Sequence, residues 1–241
     1  VIVDEASQST VLALPALLRG AKVLIVGDDK QVSPSVVGVD ERKILQLRET
    51  YLREQPHRPV FAPDHSLYEL GQAVYPGTRI MLNEHFRCVD SIIEFSTRFY
   101  EEAIYPVRVP TPSERIEPPL VDVWVKNGVR SDTKDENVHE AEAIVREVEA
   151  IVGNPRFAGR SIGVVSLFNQ DQALLVSQML IERLGAETYE NRRILCGHAP
   201  SFQGNERDII LLSMVVSARN CRAIARREDE QRLNVALSRA R

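Results

Sequence analysis

Two adjacent carboxylates, Asp4 and Glu5, follow the apolar run Val1-Ile2-Val3, and the chain closes on the arginine-bearing string LNVALSRAR at 233–241. An apolar run ending in Asp-Glu fits a buried parallel strand that delivers both carboxylates to the carboxyl edge of a sheet, where phosphate-bound Mg²⁺ is held. Arginines serve the other half of that chemistry. A phosphoryl group in transfer spreads negative charge over its oxygens, and a guanidinium brought in from another domain stabilises it. The two ends therefore read as two halves of one nucleoside triphosphate site. Taken alone neither end decides the matter, because Asp4 or Ser7 would serve equally as the N-cap of a following helix and solvent-facing arginines are common on helices.

The blocks between the ends carry the choice. A second strand-like run, KVLIVGD at 22–28, ends in Gly-Asp and is followed by Gln31 and Pro34. LNEHFR at 82–87 and SFQGNERD at 201–208 come later, and the arginine string comes last. Five blocks in this order resemble the superfamily 1 helicases, in particular the branch that includes the RNA helicase of nonsense-mediated decay and its DNA-replication relatives. The resemblance implies an α/β fold of RecA-like parallel sheets with helices on both faces, of the P-loop NTPase type, using ATP and Mg²⁺.

Roles for single residues follow from that resemblance. Asp4 partners Mg²⁺, a hard cation that keeps much of its hydration, and Glu5 polarises the attacking water. Gln31 senses the γ-phosphate, since an amide donates to a phosphate oxygen and accepts from a water at once. Phe86 stacks on the adenine, with a plain core phenylalanine as the even alternative, and Arg87 reaches the γ-phosphate. Gln203, Gly204 and Glu206 form a phosphate-approaching loop in which Glu206 accepts from the ribose hydroxyls. Arg239 is the arginine-finger candidate, with Arg232 seven residues earlier on the same helical face. Pro34 and Ser201 are the candidate nucleic-acid contacts. Departures from the family pattern occur at Val32, Ser33, Asp171 and Gln231.

None of the glycines is followed by lysine, so the glycine-rich loop GxxxxGK followed by Ser or Thr, which cradles the β- and γ-phosphates, is not in this sequence. The expectation is a fragment whose first RecA-like half, bearing that loop, lies upstream. The chain then reads as the C-terminal half of an ATP-dependent helicase or translocase that couples hydrolysis at an interdomain cleft to movement along single-stranded DNA or RNA. Its expected partners are single-stranded or partly duplex nucleic acid and the upstream half of the same chain. The competing reading is a non-hydrolysing helicase-like scaffold that binds nucleic acid or a partner protein.

At 241 residues and 44% hydrophobic content, the chain holds one large domain or two smaller ones. Its net charge of −4 says nothing against strand binding, because an acidic domain can still line a groove with donors. Arginine supplies 25 of the 30 basic residues, which suits phosphate recognition. No apolar run reaches the ~20 residues that cross a membrane. Cys88, Cys196 and Cys221 form no paired spacing, which argues against a disulfide framework and a zinc site and for a reducing compartment, cytoplasmic or, in a eukaryote, nuclear.

Apolar runs at 1–3, 22–26, 121–125, 162–167, 194–196 and 208–215 read as strands. Segment 136–152 reads as an amphipathic helix with Val138, Ala141, Val145, Val148 and Val152 on one face, and 170–184 as a second helix stopped by Gly185. Residues 38–78 read as a helical or loop excursion, and the prolines from Pro106 to Pro119 as a solvated crossing. The expected domains are 1–79, the tail of a first RecA-like domain, and 80–241, a nearly complete second one.

Overall fold

The computed structural model describes residues 1–34, 40–217, 221 and 224–241. The backbone forms two compact units, Val1–Leu82 and Asn83–Arg241.

In the first unit, strands β1 (Ile2–Val3) and β2 (Leu24–Ile25) pair in parallel, with Ile2 opposite Leu24 and Val3 opposite Ile25. A single turn, α1 (Leu14–Leu17), lies between them and carries Pro15 in its first turn, where a missing N–H is no loss. Helix α2 (Glu41–Tyr51) starts at Asp40, whose carboxylate accepts from the Lys43 N–H. Helix α3 (Leu67–Val74) starts with a capping box in which Ser66 and Glu69 each accept from the other's backbone. It buries Leu67 and Leu70, and its Gly71 backs onto the Ile25 side chain. The expectation of a buried strand at 1–3 needs correction: β1 is parallel, but Ile2 is 72% exposed and Leu24, its cross-strand partner, 55%. Cross-strand partners share a face. Helix α3 covers the Ile25 face of this short sheet and leaves the Ile2–Leu24 face open.

The second unit begins with a short parallel pair, β3 (Glu84–His85) and β4 (Tyr105–Pro106), separated by α4 (Asp90–Thr97). Then follow α5 (Val138–Gly153), β5 (Ile162–Ser166), α6 (Gln170–Leu184), α7 (Ala186–Asn191), β6 (Leu195–His198), β7 (Ile209–Ser213) and α8 (Arg227–Leu237). The three later strands form one parallel sheet in the order β6-β5-β7. Every residue of the central strand β5 is buried, as a parallel strand covered on both faces must be. One face packs Ile162 and Val164 against Ala141, Ile144, Val145 and Val148 of α5 and Val176 and Leu180 of α6. Those α5 positions recur at helical spacing, which is why the chain is helical there. On the other face lies Phe202, fully buried, from the 3-10 turn Ala199–Phe202 against which α8 packs. It fits because β5 offers Gly163: a Cβ there would stand 2.8 Å from the Phe202 ring and 2.5 Å from Ile210.

This is the α/β organisation with parallel sheets that the sequence implies, with three local differences. Residues 121–125 form no strand; Val121 and Trp124 are 70% and 78% exposed, so the apolar run has no sheet edge to pair with. Val138 lies at the exposed start of α5, and the buried face runs through Ile144 and Ile151 instead. The last strand stops at Ser213, because the N–H groups of Met214 and Val215 turn to the Glu140 carboxylate at 2.8 and 2.9 Å. Among the described residues no helix is long and apolar enough to cross a membrane.

Candidate functional site

In the first unit, the chain leaves β1 at Asp4 and Glu5, both exposed. Asp4 Oδ1 accepts from the Glu5 N–H at 2.8 Å, and Glu5 takes a left-handed backbone with φ of 51°. That conformation costs a non-glycine residue about 1–3 kcal/mol and collects at functional turns. Glu5 Oε2 also accepts from Gln8 Nε2 at 3.1 Å. The second block is held by Asp28: its Oδ1 accepts from the Lys30 N–H at 2.9 Å and its Oδ2 from Gln31 Nε2 at 3.0 Å. Gln31 therefore presents its amide in a fixed orientation. Asp4 and Glu5 offer hard oxygens at an exposed turn, which suits a cation that retains water ligands. Among the described residues no cluster of three or more His, Cys, Asp or Glu side chains could hold a metal alone; substrate oxygens and water would have to complete the shell.

In the second unit, one open pocket of about 530 Å³ gathers the arginines. Phe86 stands on its wall, 70% exposed. An exposed phenylalanine has the free ring face that stacking needs, which argues against a core role. Arg87 Nε donates to Glu206 Oε2 at 2.8 Å, and Arg87 Nη1 donates to the Ser238 carbonyl at 3.2 Å. The other Glu206 oxygen pairs with Arg241. These guanidiniums, the Arg87 hydrogen bond foremost, hold the Glu206 carboxyl below its ordinary 4.5. Arg108 and Glu114 complete the lining, with Arg108 Nη1 donating to the Arg87 carbonyl at 2.6 Å.

His85, at the end of β3, accepts from the Cys88 N–H through Nε2 at 2.9 Å, so that nitrogen carries no proton. Burial, with Arg87 and Arg239 nearby, pushes its pKa below 6.5. The same burial pushes the Cys88 thiol up to about 11, against the pull of three arginines. Gly204 sits at a φ of 78°, a left-handed turn that leads into Glu206 and that glycine adopts without strain.

The structure thus brings Phe86, Arg87 and Glu206 together, and it separates others. Arg239 is 3% exposed and turns its Nε back to the Val235 carbonyl at 3.0 Å, so it does not line the pocket. The expectation that Arg232 and Arg239 share a helical face is corrected: α8 ends at Leu237. The Arg207 N–H donates to the Arg239 carbonyl at 3.1 Å and the Arg241 N–H to the Arg207 carbonyl at 3.0 Å. This parallel bridge draws residues 239–241 out of the helix. Arg232 stays on α8, 3.9 Å from Asp229. Ser201 is exposed and shares a hydrogen bond with His198 Nδ1 at 2.8 Å. Gln203 is half-buried beside Gly204, and Pro34 is half-buried next to residues 35–39, which lie outside the described residues.

The sequence reading missed Arg241, Arg108, Glu114 and His85. Arg241 was legible in the closing string, two residues past Arg239. No motif marks Arg108; only the β3–β4 register finds it.

Residues 64–241 match the family model described as the AAA domain. The chain belongs to this family. Its relatives include a protein of Mycoplasma pneumoniae named as an uncharacterized ATP-dependent helicase, 29% identical over the whole chain and over 22% of the relative's length. A regulator of nonsense transcripts 1 homolog of Neurospora crassa is 27% identical over the whole chain and 22% of its own length. A 5′-3′ DNA helicase of Mus musculus is 25% identical over the whole chain and 12% of its own. The chain thus spans about a fifth of the length of the first two of these relatives and about an eighth of the third. The expected kinship with superfamily 1 helicases of the nonsense-mediated decay branch is borne out, and with it a RecA-like fold of the P-loop NTPase type.

Proposed function

We propose that this chain is part of an ATP-dependent helicase in which ATP hydrolysis drives movement along single-stranded DNA or RNA. The observation that carries the reading is the pocket of the AAA-domain segment, where an exposed aromatic ring stands beside a guanidinium–carboxylate–guanidinium chain, Arg87–Glu206–Arg241. Those are the groups an adenine, a ribose and a phosphate tail require.

In this proposal Phe86 stacks on the base, Glu206 orients the sugar, and Arg87 exchanges part of its carboxylate pairing for the γ-phosphate. Gln203 and Gly204 let the backbone approach the nucleotide closely. Glu5, held off the strand by its left-handed backbone, orients the attacking water, and Gln31 registers the γ-phosphate through an amide already fixed by Asp28. Asp4 would hold Mg²⁺, which when bound offsets the phosphate charge. Arg239 acts as the finger after swinging from the Val235 carbonyl, and Arg232 supports it from α8. Ser201 and Pro34 contact the strand. In this proposal the protein works in the cytoplasm, or in the nucleus of a eukaryote.

The test is strand-stimulated ATP hydrolysis by the complete protein. Arg239→Ala and Glu5→Gln are each expected to lower turnover about a thousandfold, the scale of an arginine finger, while single-strand binding persists. Unchanged turnover in both variants refutes the reading. Strand binding by a wild-type protein that turns over no ATP would establish the scaffold in its place.

A further inference from the structure

The pairing of β3 with β4 aligns His85 with Pro106. Extending that register by two residues sets Arg108 opposite Arg87, just beyond the carboxyl ends of both strands. The hydrogen bonds agree: the Val107 N–H donates to the His85 carbonyl at 2.9 Å and Arg108 Nη1 to the Arg87 carbonyl at 2.6 Å. Two guanidiniums therefore enter one pocket from adjacent strands, with Arg241 as a third.

Like charges packed so closely require counter-charge. Glu206 serves Arg87 and Arg241, and Arg108 has Glu114, 3.6 Å from its Nη2. Three arginines face two carboxylates in the pocket lining, and His85 presents an unprotonated Nε2, so the pocket keeps one positive charge in excess. The Arg108–Glu114 contact is also long for a charge-assisted hydrogen bond, which closes at about 2.7–2.9 Å. Glu114 is instead bound closely elsewhere, by the Thr111 N–H and hydroxyl, both at 2.9 Å. Arg108 spends one N–H on the Arg87 carbonyl and has further donors on a planar fork.

We propose that Arg108 is a phosphate-binding residue of this pocket, that it reaches the polyphosphate tail of a nucleoside triphosphate alongside Arg87, and that Glu114 competes with that tail. The inference rests on the nucleotide reading of the pocket and deepens it. Backbone phosphates of a nucleic-acid strand offer the same oxygens, but the neighbouring Phe86 ring and Glu206 carboxylate suit a whole nucleotide.

Binding of fluorescent ATP, its AMP counterpart and a labelled single-stranded oligonucleotide to the complete protein separates these possibilities. Arg108→Ala is expected to weaken ATP binding about ten- to a hundredfold, the worth of a hydrogen bond to a charged group, and AMP binding less than threefold. Arg108→Lys restores part of the ATP affinity. Glu114→Gln tightens ATP binding severalfold, a change of sign that a purely structural role for Glu114 does not produce. If Arg87→Ala weakens ATP binding while Arg108→Ala and Glu114→Gln leave it within twofold, the role of Arg108 is refuted and the nucleotide reading stands. If the wild type binds neither nucleotide, both fall. Loss of oligonucleotide binding alone in Arg108→Ala overturns the proposal in favour of strand phosphates.

Discussion

Truncating Glu140 should destabilise the second unit. Glu140 lies in the first turn of α5, and its carboxylate accepts from Ser213 Oγ at 3.0 Å and from the N–H groups of Met214 and Val215 at 2.8 and 2.9 Å. Those donors sit where β7 stops and the chain turns toward α8. Val215 is 1% exposed and has a φ of 61°, a left-handed backbone that a β-branched side chain resists. The carboxylate thus holds a strained turn in place. In Glu140→Ala the two N–H groups and one hydroxyl lose their acceptor, and each buried unsatisfied group costs about 1–3 kcal/mol. Water reaches the half-exposed Met214, so the expected total is about 2–4 kcal/mol. Glu140→Gln keeps one oxygen and turns an NH₂ toward a donor, for about half that cost.

The pH dependence separates this account from simple packing. Burial outweighs the three donors and raises the Glu140 pKa above 4.5. A raised folded value means that its contribution is fully present below 4.5 and is lost as pH rises through the folded value. The gap between wild type and Glu140→Gln should therefore narrow upward from pH 4.5. Urea unfolding of the chain, followed by circular dichroism, measures both effects. A Glu140→Ala variant within about 0.5 kcal/mol of wild type, below the cost of one unsatisfied donor, would show that the turn does not depend on the carboxylate.

Two further outcomes follow from the packing and the pocket. Gly163→Ala should cost about 1–3 kcal/mol by overpacking, because its Cβ would meet Ile210 at 2.5 Å and the Phe202 ring at 2.8 Å; an unchanged urea midpoint would mean that this face of β5 is loose. His85 should make the second unit less stable as pH falls below about 6.5, since its folded pKa is depressed, chiefly by burial, and the unfolded chain binds the proton first. His85→Gln should flatten the unfolding midpoint between pH 7.5 and 5.5, and an unaltered slope would place the acid sensitivity elsewhere.

Periodicity and motif order made much of this legible, for different physical reasons. The α5 and α6 helices and strand β5 announce themselves because many residues repeat one pattern and the sheet buries them. Phe86, Arg87 and Glu206, which the structure brings to one pocket, were singled out from short blocks, since such blocks are read by residue type rather than by period. The β3–β4 pair was invisible because two residues per strand carry no period, and Arg108 with it. Burial was misjudged at the start of the chain, and the burial of Arg239 at its end was not read from the sequence at all. Ile2 is apolar but has no layer over its face, whereas Arg239 is charged but is drawn inside by the Arg207 bridge and the end of α8. In each case long-range backbone pairing decided the outcome, and a local reading cannot see it.

That pairing also explains why the pocket's arginines differ in duty. Arg207 holds the backbone on either side of Ala240, so Glu206, one residue earlier, comes within reach of Arg241 and of Arg87. The carboxylate makes the cluster tolerable in the absence of ligand, because bare guanidiniums in one pocket repel. It also limits affinity. A phosphate that enters must replace carboxylate contacts already made, so only the difference between two ion pairings remains as binding energy. In the proposed hydrolytic cycle, such an exchange would keep the bound state shallow and the return path open. Removing Glu206 would therefore strengthen anion capture while loosening the geometry that selects a nucleotide, and the two effects are opposite in sign for inorganic phosphate and for ATP.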